Sequence, residues 1–181
     1  MRSSDHGRIE PRAPGEIVSD AATVDARKAI KIEERITIDR PRDELFRVWR
    51  NFEQLPNYVD DLESVTALGD GRSHWVARAP ASRRIEWDSE MVNEIPGVLI
   101  AWKTVGNPDV AHAGSVHFRD LSGGLTEVRI VVDYEPPGGR LGSLIHAFTK
   151  LFGQSPDQKI RGDLDKFKTR IESGAARLAD R

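Results

Sequence analysis

Three tryptophans stand out as residues able to hold a guest: Trp75, Trp87 and Trp102. An indole offers a broad apolar face and one N–H donor. Each lies at the centre of an alternating segment, and parity sends all three to the same concave side. There they either line a pocket for an apolar or aromatic molecule or fill a core beneath a helix. Phe118, Ile130 and Tyr134 share the inward parity of the last two segments, with Val116, Val128 and Val132. Core packing is the plain reading for most. The Tyr134 hydroxyl could meet a guest or the backbone of the Pro136-Pro137-Gly138-Gly139 turn.

The titratable candidates are few. His117, between Val116 and Phe118, should face outward. His74 has the parity opposite to Trp75, and His112 falls in the loop Asn107–Ala113. Histidine titrates near neutral pH, so His74 or His112 could move a proton; a surface imidazole is the simpler reading. Glu34 shares the parity of Ile30, Ile32, Ile36 and Ile38 and so points inward, where a carboxylate needs a partner such as Arg78 or Arg84. Glu86, Asp88 and Glu90 form a wet face whose charges pair with residues such as Arg129 or Lys103. Polar groups of an interior site are therefore sought among Glu34, Arg78, His74 and His112. None pairs with another at a readable spacing, so no catalytic residue is assigned.

The exclusions are firmer. With no cysteine, no HExxH and no histidine pair at helical i, i+4 spacing, no metal site is expected. Gly123-Gly124 and Gly138-Gly139 lack a phosphate-binding context, and no Gly-x-Ser-x-Gly elbow occurs. No cofactor is expected. The net charge is −2, from 27 basic and 29 acidic residues, with no block of one sign, which gives no footprint for nucleic acid. No run approaches the ~18 apolar residues of a membrane span, and the first residues lack the apolar stretch of a signal peptide. The expectation is a soluble, cytoplasmic protein.

These side chains need a frame. Residues 1–28, with Pro11, Pro14, Gly7 and Gly15, read as a weakly ordered leader, 29–174 as one domain, and 175–181 as a tail. Ile30–Ile38 alternates as a half-buried strand. Pro41, Asp43 and Glu44 open a short helix carrying Leu45, Phe46, Val48, Trp49 and Phe52, and a second short helical piece ends at Leu55-Pro56. Six antiparallel strands follow: Leu62–Leu68, Ser73–Ala79, Ile85–Met91, Val98–Lys103, Gly114–Arg119 and Thr126–Tyr134. Gly69-Asp70-Gly71 is a hairpin turn between the first two. The period then changes to 3.6. Leu141, Leu144, Ile145 and Phe148 share a helical face. Ser155-Pro156-Asp157-Gln158 reads as a capping box, and Ile160, Leu164, Phe167 and Ile171 form an apolar stripe. The charges Asp157, Lys159, Arg161, Asp163, Asp165, Lys166 and Lys168 make its solvated side.

Ordered pieces of this chain resemble a known family. They are Ser73-His74-Trp75-Val76-Ala77, Ile85-Glu86-Trp87-Asp88-Ser89-Glu90, Ile100-Ala101-Trp102-Lys103 and Gly114-Ser115-Val116-His117-Phe118. Thr126-Glu127-Val128, Tyr134 to Gly139, and Asp163-Leu164-Asp165-Lys166-Phe167-Lys168 complete the set. In combination, over residues 30–173, they are similar to the polyketide cyclase/dehydrase-type branch of the SRPBCC (START/Bet v 1-like) superfamily. The resemblance implies an α+β helix-grip fold. A curved antiparallel sheet of about seven strands wraps a long C-terminal helix, with two short helices after the first strand. It also implies a cavity for a lipid, quinone or polyketide-like molecule, and it transfers no catalytic motif. The expected function is binding or carriage of such a hydrophobic ligand. The walls would be Trp75, Trp87, Trp102, Phe118, Ile130 and Tyr134, and the lid Leu144, Phe148, Leu164 and Phe167. The rivals are a cyclase or dehydrase, and an interaction module with a filled core. An enclosed space of about 300 Å³ or more would speak against the last. The oligomeric state is left open.

Overall fold

The computed structural model describes residues 29–79, 82–106, 108, 111–134 and 155–174. The expected leader 1–28, tail 175–181 and lid residues Leu144 and Phe148 lie outside the described residues.

Strand β1 (Ile30–Ile38) leads into helix α1 (Arg42–Arg50) and a 3-10 helix (Phe52–Asn57). Then come β2 (Leu62–Gly69), β3 (Arg72–Ala79), β4 (Arg83–Ile95), β5 (Leu99–Val105), β6 (His112–Asp120), β7 (Thr126–Tyr134) and helix α2 (Pro156–Glu172). The seven strands form one antiparallel sheet in the order β1-β7-β6-β5-β4-β3-β2. The chain thus walks across the sheet strand by strand, and the last strand pairs with the first, Ile30 opposite Tyr134. Among the described residues no helix is long and apolar enough to cross a membrane.

Local chemistry accounts for the elements. The β2–β3 turn holds Asp70 at φ 50° and Gly71 at φ 74°, the two positive values a two-residue hairpin turn requires. In α1, Asp43 and Glu44 occupy the first turn and Arg47 and Arg50 the last, which suits the helix dipole. Pro41 sits at the N-cap, where its carbonyl accepts from the Glu44 and Leu45 amides.

Three expectations about element ends need correction. Strand β4 runs past Met91 to Ile95. The register slips between Met91 and Asn93, so Val92 is an extra residue, and the bulge interrupts the alternation without ending the strand. His112 begins β6, paired with Tyr134, and is not part of the preceding loop. At the start of α2, Ser155 is the N-cap and Pro156 follows, but no side-chain cap bond forms. The Ser155 hydroxyl donates instead to the Asp157 carboxylate, which also accepts backbone N–H groups. Those bonds, Ser155 foremost, hold the Asp157 carboxyl below its usual range.

The concave side of the sheet and one face of α2 make the core. Ile160, Leu164, Phe167 and Ile171 are all buried, as are Ile38, Leu45, Ile100, Val116 and Val128. Burying the four helix residues contributes roughly 6–12 kcal/mol before entropy is counted. Hydrogen bonds tie the helix to β1: Lys168 Nζ donates to the Thr37 carbonyl (2.6 Å) and the Asp39 amide to Glu172 (2.8 Å). Glu34 joins this seam. Its side chain is only 12% exposed, and its partner is Arg161 of α2 at 2.5 Å, not Arg78 or Arg84. The two residues are remote in sequence, so only the packed helix could reveal the pair.

One strand glycine is fixed by a neighbouring ring. A Cβ on Gly114 would stand 2.6 Å from Trp102 Cζ2 and 3.0 Å from the Val131 carbonyl oxygen. Neither can yield cheaply. Gly114→Ala should therefore lower the unfolding free energy by about 1–3 kcal/mol in a urea melt. An unchanged midpoint would mean that the Trp102 ring is not held there.

Candidate functional site

Between the concave sheet, α1 and the start of α2 lies a cavity of about 230 Å³. Every middle strand contributes: Trp75 and Ala77 from β3, Ile85, Trp87 and Ser89 from β4, Trp102 from β5, His112 from β6 and Tyr134 from β7. Trp49 of α1, Phe52 and Leu55 of the 3-10 helix, and Val59, Asp61 and Leu62 close one side, and Lys159, Ile160 and Asp163 of α2 close another.

Rings run along the wall in contact. Phe52 meets Trp75 at 5.5 Å between centroids, and Trp75 stacks on Trp87 at 5.9 Å and 15°. Trp87 meets His112 edge-on at 5.5 Å, and His112 lies 5.7 Å from Tyr134. Register explains the arc. Trp75 is opposite Trp87 and His112 is opposite Tyr134, while β5 ends at Val105, so Trp87 reaches His112 past that end. Aromatic pairs at these separations are mutually attractive and stiffen the wall.

The polar corner belongs to α2. Lys159 is 8% exposed, and its ammonium lies 3.1 Å from Asp61 and 2.5 Å from Asp163. Burial pushes the Asp163 carboxyl above its usual range, against the pull of Lys159. Burial, with the Asp163 charge added, also raises the Tyr134 hydroxyl.

Of the residues sought from sequence, Trp75, Trp87, Trp102, Tyr134 and His112 stand on this wall. Phe118, Ile130, Leu164 and Phe167 do not; they are buried in the core beside it. Phe118 turns its ring edge-to-face onto Phe46, 5.7 Å away, and Phe167 packs on Trp49 (5.5 Å) and Tyr58 (5.3 Å). The helix faces the cavity one turn earlier, at Ile160 and Asp163.

Glu34, Arg78 and His74 are also off the wall. Arg78 points outward and donates to the Asp60 carbonyl. His74 stands on the outer face, where its Nδ1 lies 2.7 Å from Asp88 and its Nε2 3.8 Å from Glu86. That imidazole, rather than Arg129, is the partner of Asp88 and Glu86, while Glu90 stands opposite Lys103 in the sheet; Arg129 reaches Glu33 instead, at 3.6 Å. His117 does face outward, half-buried, with its Nε2 2.9 Å from Ser115 Oγ. Burial, ahead of the nearby Arg129, pushes its pKa down.

Sequence reasoning missed Phe52, Asp61, Ser89, Lys159 and Asp163 on the wall; Trp49, read as core, does pack against the core and also reaches the wall. The available signal was the i, i+4 pair Lys159/Asp163 flanking the apolar stripe, which reads equally well as solvated surface.

The rim beside this corner is clasped by charge. Asp60 lies 2.7 Å from Lys166 and 2.5 Å from Arg170, and Arg170 also donates to the Asn57 carbonyl at 2.9 Å. Lys166 first, then Arg170, holds the Asp60 carboxyl below its ordinary 3.8. A lowered carboxyl stabilises the fold above its unfolded pKa, and that contribution is lost as pH falls through the folded value. Asp60→Asn should melt a few degrees lower than wild type at pH 7, and the gap should close well below pH 3.8. A gap independent of pH would contradict the clasp.

The seven-stranded antiparallel sheet and the C-terminal helix define a helix-grip fold of the START/Bet v 1-like kind. More particularly, the chain belongs to the polyketide cyclase / dehydrase and lipid transport family, whose sequence profile matches residues 29–172. It is 30% identical over 148 residues to an uncharacterized 17.2 kDa protein from the melC2-rnhH intergenic region of Streptomyces lincolnensis, covering 78% of this chain and 89% of that protein. A crystal structure from Deinococcus radiodurans is 31% identical with a TM-score of 0.61, over 80% of this chain and 99% of that one. The di-domain ARO/CYC protein BexL of the BE-7585A biosynthetic pathway is 23% identical with a TM-score of 0.63, over 79% of this chain and 46% of that one. At that identity the likeness to BexL concerns the fold alone.

Proposed function

We propose that this chain binds or carries a hydrophobic small molecule, lipid-, quinone- or polyketide-like, in the cavity between the sheet and the C-terminal helix. The observation that carries the reading is the open space of about 230 Å³ walled by four indoles and aliphatic side chains. It is smaller than the roughly 300 Å³ at the lower end of pockets for drug-sized ligands. Apolar cavities of about 150 Å³ stay dry and accept benzene, so this one suits a compact guest of about two fused rings. Affinity would come from apolar area leaving water, at about 25 cal/mol per Å². The family's lipid-transport and cyclase members support the same reading. Thermal melts with a panel of naphthalene-sized apolar compounds test it. A ligand at 100 times its Kd should add about 2.7 kcal/mol of stability. No shift with any compound would count against binding.

One observation favours a second reading, a cyclase- or dehydrase-like enzyme. Asp163, raised by burial, shares the apolar wall with Tyr134 and His112. A carboxyl held above its usual range is suited to give a proton to a substrate oxygen, and an imidazole to take one back. Asp163→Asn separates the readings: a carrier keeps its affinity, whereas an enzyme loses turnover with binding intact.

A further inference from the structure

The inner face of the sheet carries one polar row between apolar ones, and Ser89, His112 and Tyr134 of that row reach the cavity. Ser73, Ser89 and Thr104 stand opposite one another on β3, β4 and β5, and His112 and Tyr134 continue the row on β6 and β7. The His112 amide, donating to Thr104 Oγ1 at 3.2 Å, links the two parts. On one side runs the row Met91, Trp102, Gly114 and Val132, and on the other the stacked Trp75 and Trp87. Ser73, Ser89 and Thr104 are 5%, 3% and 0% exposed.

Hydroxyl groups sealed from water cost free energy unless each finds a partner. Ser73 Oγ accepts from Trp75 Nε1 at 2.8 Å, and Thr104 Oγ1 accepts the His112 amide. Ser89 Oγ has no partner among the described residues, although Ser89 is part of the cavity wall. Trp49 Nε1, across the same cavity, is also unpaired. The wall therefore holds unused hydrogen-bonding capacity beside a stacking surface. A serine side chain turns among three staggered positions, so one rotation about χ1 can present the hydroxyl to a guest.

The charged corner narrows the choice. Asp61 and Asp163 flank the single ammonium of Lys159, so the corner offers no unpaired cation. A carboxylate guest would leave water without a counter-charge there; a neutral one has no such cost.

We propose that Ser89 orients the ligand, donating its hydroxyl hydrogen to an oxygen of a neutral planar aromatic ketone or quinone that stacks along Trp75 and Trp87. This deepens the binding reading above and rests on it.

The test compares 2-acetylnaphthalene with 2-ethylnaphthalene, near-equal in shape but with and without the carbonyl, by quenching of tryptophan fluorescence in the full chain. In Ser89→Ala the affinity ratio of ketone to hydrocarbon should fall about 3–10-fold, the worth of one hydrogen bond, while the hydrocarbon Kd stays within about twofold. Ser89→Thr, which keeps the hydroxyl, should retain the wild-type ratio. At pH 8, 2-naphthoate should bind at least about tenfold more weakly than the ketone. Ser89→Ala should melt no lower than wild type, because it removes an unpaired buried group. An unchanged ratio in Ser89→Ala, naphthoate binding as tightly as the ketone, or a clearly lower melting point would overturn the assignment while leaving the binding reading in place. If neither naphthalene binds wild type, both fall together.

Discussion

Phe167→Ala should lower the free energy of unfolding by about 3–5 kcal/mol, the range for truncating a buried aromatic ring. Phe167 is 1% exposed and sits at the centre of the α2 stripe. Its ring lies 5.5 Å from Trp49 on α1 and 5.3 Å from Tyr58 after the 3-10 helix, so one side chain joins three elements across the concave face. Removing it loses the transfer free energy of the ring and leaves a void that surrounding rings cannot fully close. For a chain of this size about 2–4 °C accompanies each kcal/mol, so melting should fall by roughly 6–20 °C. Urea and thermal melts followed by far-UV dichroism measure it. A loss under about 1 kcal/mol would show that α2 does not seal the core through this residue.

Ala77→Phe is expected to have the largest effect on binding. Ala77 is 7% exposed on the inward face of β3, opposite Ile85 and Leu62, and its methyl is part of the cavity wall. A phenyl ring built from that position enters the space a guest would occupy. Affinity for a naphthalene-sized probe should fall by about 100-fold or more, equivalent to about 2.8 kcal/mol. Stability should change little or rise, because the ring fills open volume that solvent-free packing leaves unused. The two readouts separate cleanly. If the space were already filled by its own side chains, the same substitution would overpack the core and cost about 1–3 kcal/mol. A stable Ala77→Phe protein that still binds the probe as tightly as wild type would place the guest elsewhere.

The sequence was informative where periodicity alone decides the structure. Strand parity placed Trp75, Trp87, Trp102 and Tyr134 on the concave side, and the spacing of Ile160, Leu164, Phe167 and Ile171 marked the buried face of α2. Parity, however, assigns a face and not a position along the strand. Phe118 and Ile130 share the inward side with Tyr134, yet they lie in the core rather than on the cavity wall. The bulge at Val92 shifts pairing by one residue and hides the true length of β4. Pairings between distant segments, such as Glu34 with Arg161 and Asp61 with Lys159, exist only once α2 lies against the sheet. Lys159 and Asp163 illustrate the same point. On an isolated helix they flank the apolar stripe and read as solvated charge, and only the neighbouring wall makes them interior groups.

Native mass spectrometry of the full chain, after incubation with apolar extracts and gentle desalting, tests most directly whether the hollow under α2 accepts a guest. The account requires a 1:1 adduct that survives in the folded protein, disappears on unfolding and is absent from Ala77→Phe. Bare chain from every extract, or an adduct that Ala77→Phe retains undiminished, would contradict it.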